Sequence, residues 1–74
     1  MKVFLRSIND VRDFSKVALT FPCDIDLVSS RYKVDAKSIM GIFSLNLSKP
    51  IELVVSNSNE EDHAKLLFKR WEVK

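Results

Sequence analysis

Residues 24–45 read DIDLVSSRYKVDAKSIMGIFSL, a stretch that parses into two strands and a short capped helix. From Asp24 to Ser29 polar and apolar residues alternate, with Ile25 and Leu27 on one side and Asp24 and Asp26 on the other. A period of two marks a strand with one face against a core. Ser29-Ser30-Arg31 supplies the turn, although it lacks the Asn-Gly pair of the tightest hairpins. Beyond it, Tyr32, Val34 and Ala36 are predicted to face inward. Lys33 and Asp35 then face outward, where their opposite signs suit pairing across to the acids of the preceding strand. Ser38 offers an N-cap to an apolar helix spanning Ile39 to Leu45.

Working outward from this core, Met1 to Arg6 alternates again, with Val3 and Leu5 on one face. Ser7 can cap the helix that follows, with Asp10 three residues on as its acidic counterpart. Val11, Phe14, Ala18 and Phe21 recur at helical spacing, and Phe21-Pro22 ends the segment. After Lys49-Pro50, Ile51 to Val55 forms a strand with Glu52 toward water. Asn57-Ser58 opens a last helix, in which Ser58 and Glu61 make a second capping box and Ala64, Leu67, Phe68 and Trp71 form the buried stripe. The order is β-α-β-β-α-β-α. Strands with one polar face belong to an antiparallel sheet covered on one side. The predicted fold is α+β: a two-layer open-faced sandwich, with a four-stranded antiparallel sheet and all helices on one face.

Composition limits what such a chain can do. Its 74 residues make one domain, residues 1–74. A domain of this size has little room for a deep substrate cleft. Cys23 is the only cysteine, so a disulfide framework is excluded and a reducing, cytoplasmic setting is expected. Arg6 follows too few apolar residues for a signal peptide, and no run approaches the length of a membrane span. Twelve Lys/Arg against ten Asp/Glu is too even a balance to imply a nucleic-acid partner, and the cluster Lys65, Lys69, Arg70, Lys74 suits the end of a helix.

The segment Val34-Asp35-Ala36-Lys37-Ser38-Ile39-Met40-Gly41-Ile42-Phe43-Ser44-Leu45 resembles the region around the regulatory serine of HPr, the histidine-containing phosphocarrier of the bacterial sugar phosphotransferase system. Phe21, Asp24-Ile25 and the element order agree, so the resemblance spans essentially the whole chain and implies the same sandwich. HPr carries a phosphoryl group on a histidine at the start of its first helix, inside a Gly-x-His-Ala-Arg-Pro motif. Laid over this chain without gaps, the histidine falls on Ser7, the arginine on Asn9 and the proline on Asp10.

That departure has chemical consequences. An imidazole is nucleophilic near neutral pH and forms a labile phosphoramidate. A serine hydroxyl without a base is a poor nucleophile, and its phosphate ester is too stable to hand on. Asp10 and Asp13 also place negative charge where an incoming phosphate would arrive, while Arg6 and Arg12 are near but off the arginine position. The reading is an HPr-like protein that is not a histidine phosphocarrier and not an enzyme, acting as a protein-binding or regulatory module. The alternative is a phosphotransfer component modified at Ser38 by an HPr-kinase-like enzyme, as the resemblance implies.

Each candidate also has a plainer structural explanation. Ser38 is a favoured N-cap whether or not it is phosphorylated. Ile39, Met40, Ile42 and Phe43 exceed one buried stripe, and the resemblance implies that this helix, together with the start of the first helix at Ser7–Val11, docks partner proteins. Met40 and Phe43 are the exposed candidates, although they could instead pack beneath the loop after Leu45. His63, the only histidine, matches no family site and suits a polar helix face. Asp24/Asp26 and Glu60/Glu61/Asp62 read as solvated acids. One histidine and one cysteine make no metal set, and no cofactor motif is present. Phe4, Val28 and Val54 lie among the outward strand positions, so the molecule is expected to be a monomer or a weak dimer.

Overall fold

The computed structural model describes residues 1–73. Its elements are β1 (Lys2–Val3), α1 (Ile8–Leu19), β2 (Ile25–Ser29), β3 (Tyr32–Asp35), α2 (Ile39–Phe43), β4 (Ile51–Val55), α3 (Glu61–Leu67) and β5 (Glu72–Val73). One turn of 3-10 helix, Ser58–Glu60, leads into α3, and another, Lys69–Trp71, follows it. The strands form one sheet in the order β3-β2-β4-β1-β5, with every neighbouring pair antiparallel. The expected sandwich is present.

The core lies between the helices and one face of this sheet. Val3, Ile25, Leu27, Ile51 and Leu53 come from the strands; Val11, Phe14 and Ala18 from α1; Ile42 from α2; Ala64, Phe68 and Trp71 from α3 and the turn after it. Phe14 is the hub, with ring centroids 4.7 Å from Phe68 and 5.3 Å from Trp71, the latter edge-on. Such offset and edge contacts add to the area that the rings bury. They fasten α1 to the C-terminal segment.

Four local expectations are revised. A fifth strand exists: Glu72–Val73 pairs with β1, placing Val73 opposite Lys2. The last helix ends at Leu67 rather than running to Trp71, and the chain turns back to reach the sheet. Asn57, not Ser58, caps the entry, its Oδ1 accepting the Asn59 N–H at 3.0 Å. An Asn side chain that captures the amide two residues on starts a tighter turn, so no Ser58/Glu61 capping box forms. Tyr32 is 70% exposed rather than inward. It sits at the hairpin tip of the edge strand, whereas α2 covers the opposite end, against Val34.

The outward face of the sheet is mixed. Val54 is exposed, Phe4 and Val28 are half-buried, and the Arg6 guanidinium stands 5.1 Å from the Phe4 ring centroid. Lys2, Glu52 and the Lys33–Asp26 pair, at 3.5 Å, interrupt these apolar positions. The Asp26 and Lys33 contact runs diagonally, because Lys33 lies directly opposite Val28 and Asp35 directly opposite Asp26.

Candidate functional site

Ser7 and Ser38 cap α1 and α2, the two helices that carry the sites expected from the sequence. Ser7 Oγ accepts the Asp10 N–H at 3.1 Å, and Asp10 Oδ2 accepts the Arg6 N–H at 3.0 Å. The cap anticipated from the sequence forms, with its carboxylate bonded to the residue before Ser7. A helix N-terminus attracts phosphate through unpaired N–H groups. Here one such group is occupied by the Ser7 hydroxyl, and the Asp10 carboxylate supplies the negative charge.

The only imidazole of the chain is far from that hydroxyl. His63 lies in the first turn of α3, where its Nδ1 is 3.0 Å from Glu60 Oε2 and its ring stacks on Phe21 with centroids 5.2 Å apart. Phe21 follows the C-terminal end of α1, whereas Ser7 precedes the first residue. The 12 residues of α1 rise about 18 Å between them. His63 therefore cannot serve Ser7 as a base. The side chain of His63 is 46% exposed, as expected for a polar helix face, but one face of the ring rests on the core. Among the described residues no group of His, Cys, Asp or Glu is arranged to hold a metal ion.

Ser38 is exposed, and its Oγ accepts the Gly41 N–H at 3.2 Å. The turn before it is fixed by Asp35, whose Oδ1 accepts the Lys37 N–H at 2.8 Å and whose carbonyl accepts the Ser38 N–H at 3.0 Å. Lys37 Nζ reaches the Phe21 carbonyl at 3.3 Å and ties this turn to the end of α1. Gly41 has a steric role: a Cβ there would lie 3.3 Å from both Ser38 Oγ and Val34 Cβ. Glycine lets α2 sit close on β3 with the Ser38 hydroxyl in the gap.

The short helix α2 divides its apolar residues. Ile42 is fully buried and leaves the surface set proposed from the sequence, Ile39 is half-buried, and Met40 and Phe43 are 76% and 42% exposed. Ile8 at the start of α1 is 66% exposed. Sequence reasoning missed Ile8 by name, yet its position off the Val11/Phe14/Ala18 stripe was the available signal. A shallow groove of about 350 Å³ joins the two helices, lined by Leu5, Arg6, Ser7, Ile8, Phe43 and Leu47 among others. The first turn of α2 contains no acid. The end of the molecule that holds both serine caps thus combines apolar Ile8 and Phe43 with Arg6 and with the Asp10 carboxylate.

Comparison with known proteins gives the same picture. The sequence model of the PTS HPr component phosphorylation site matches residues 11–67, more than half of the chain. HPr-C-His of Thermoanaerobacter tengcongensis superposes with a TM-score of 0.73 at 33% identity, over 92% of this chain and 78% of that one. Crh, the catabolite repression containing protein of Bacillus subtilis, described as a dimer with a swapped domain, superposes with a TM-score of 0.68 at 25% identity. That match covers 100% of this chain and 90% of Crh. No curated protein sequence matches at a significant level. With the family model matched over more than half of its residues, the chain belongs to the HPr family of the phosphotransferase system.

Proposed function

We propose that this HPr-family chain is a cytoplasmic protein-binding or regulatory module and not a histidine phosphocarrier. The observation that carries this reading is the N-terminus of α1. Laying the family's motif over the chain without gaps puts Ser7 at the phosphohistidine position; its hydroxyl accepts the Asp10 N–H, and the imidazole of His63 stacks on Phe21 beyond the other end of the helix. What remains at that end is a surface suited to binding. Ile8, Met40 and Phe43 are large and exposed, Ile8 and Phe43 line the groove between α1 and α2, and adaptable Met with flat aromatics is what contact patches use.

Phosphorylation of Ser38 is the second reading, and its exposure at the head of α2 favours it. A phosphate at a helix N-terminus meets unpaired N–H groups and a favourable dipole. The modification would replace the hydroxyl that accepts the Gly41 N–H by an oxygen able to do the same, adding charge beside the apolar groove.

The test uses purified HPr-kinase-like enzyme with ATP as probe. The expected product is an acid-stable phosphoserine that disappears in Ser38→Ala. Met40→Lys and Phe43→Lys should each weaken capture of the enzyme about tenfold, the effect of losing a well-packed apolar anchor worth about 1.4 kcal/mol. Unchanged capture by both variants would contradict the docking surface.

A further inference from the structure

The free edge of the sheet at β3 has backbone groups and charges arranged for a second molecule. β3 ends the order β3-β2-β4-β1-β5, so only one of its sides is paired. Across β2 and β3 the opposed residues are Asp26/Asp35, Leu27/Val34, Val28/Lys33 and Ser29/Tyr32. The Ala36 N–H donates to the Ile25 carbonyl at 2.9 Å, so 25/36 is a hydrogen-bonded pair. In an antiparallel ladder such pairs alternate with pairs whose backbone groups point away. Lys33 and Asp35 consequently turn their N–H and C=O groups out from the sheet. Among the described residues Lys33 has no backbone partner on that side, and the Asp35 carbonyl accepts only the Ser38 N–H.

The side chains on the same strand leave a charge imbalance. Asp26 and Asp35 face each other directly, an arrangement that weakens a strand pair. Lys33 lies 3.5 Å from Asp26 Oδ2, while Asp35 makes no ion pair among the described residues. One cation serves two carboxylates.

We propose that β3 pairs with β3 of a second copy of this chain, antiparallel about a two-fold axis at Val34, to extend the sheet through both molecules. In that register Lys33 meets Asp35 of the copy, and Asp35 meets its Lys33. These are the residues with outward backbone groups, so each Asp35 N–H donates to the Lys33 carbonyl of the copy, and each Asp35 carbonyl, which already accepts the Ser38 N–H, takes the copy's Lys33 N–H as a second donor. Each Asp35 gains the cation it lacks. Shifting the register by two residues would oppose Lys33 to Lys33 or Asp35 to Asp35, so the charges select one alignment. Tyr32, exposed in the single chain, comes opposite Ala36 of the copy and adds aromatic area at the rim. The edge is short, which places the contact at the small, reversible end of protein interfaces. No element is exchanged between copies, unlike a swapped dimer.

Sedimentation equilibrium on the intact protein tests this. Reversible dimerisation is expected below about 1 mM, the range of weak association. Lys33→Glu and Asp35→Lys should each weaken it about tenfold by opposing like charges. An equimolar mixture of the two variants should recover association, because the introduced carboxylate of one meets the introduced ammonium of the other. Lys33→Pro, which removes only an N–H pointing away from β2, should keep the circular dichroism of the parent and abolish the dimer. A parent that stays monomeric throughout that range, single variants that associate as well as the parent, or a mixture no better than its components would overturn the proposal.

Discussion

Two serines and one glycine occupy positions that the backbone makes demanding, and each yields a measurable consequence. Ser30 is the only non-glycine residue with positive φ among those described, at 54°, in the two-residue turn between Ser29 and Tyr32. An L side chain in that region costs about 1–2 kcal/mol, which glycine avoids at some loss of unfolded-chain entropy. Ser30→Gly should therefore stabilise the fold by about 0.5–1 kcal/mol and raise Tm by a few degrees in a thermal melt. Ser7→Ala removes the acceptor of the Asp10 N–H and should cost about 1 kcal/mol in urea denaturation. Gly41 runs against the usual helix rule. Gly→Ala inside a helix normally gains about 1 kcal/mol. Here the added methyl would crowd Ser38 Oγ and Val34 Cβ at 3.3 Å. Gly41→Ala should show no gain in stability, and a clear gain would mean that α2 is not held this close to β3.

At the scale of elements, the strongest periodic segments were legible and the shortest were not. The α1 stripe of Val11, Phe14 and Ala18 and the Ile25/Leu27 alternation of β2 bury as their spacing dictates. β5 was hidden because a strand of two residues has no period to read, and Lys69-Arg70-Trp71 continued the helical pattern of Phe68. Tyr32 obeyed the alternation of its strand but not its burial, since no helix covers the hairpin tip. Both caps of the candidate site, Ser7 and Ser38, could be named from composition alone, because a hydroxyl before an apolar run has few other uses. For α2, Met40 and Phe43 could be named as outward candidates but not decided: five apolar-rich positions in little more than one turn admit either arrangement, and the burial of Ile42 separates them. The union of α1 with the C-terminal segment depends on one ring. Phe14→Ala should cost about 3–5 kcal/mol, a large share of the stability of a small domain, and denaturation midpoints will report it.

As a whole molecule, the protein keeps the family's sandwich, and the head of its α1 carries a serine cap. Fold and activity are separable, since the sheet and helices position the site but a single side chain supplies the nucleophile. The Ser7 hydroxyl is engaged as the cap of α1. The imidazole of His63 is held between Glu60 and Phe21 at the other end of α1. The most direct measurement is incubation of the purified protein with labelled phosphoenolpyruvate and Enzyme I, followed by acid treatment of the product. The account predicts no acid-labile phosphate on this chain while an HPr control in the same mixture is labelled. An acid-labile label that passes from this protein to a sugar-specific acceptor would contradict it.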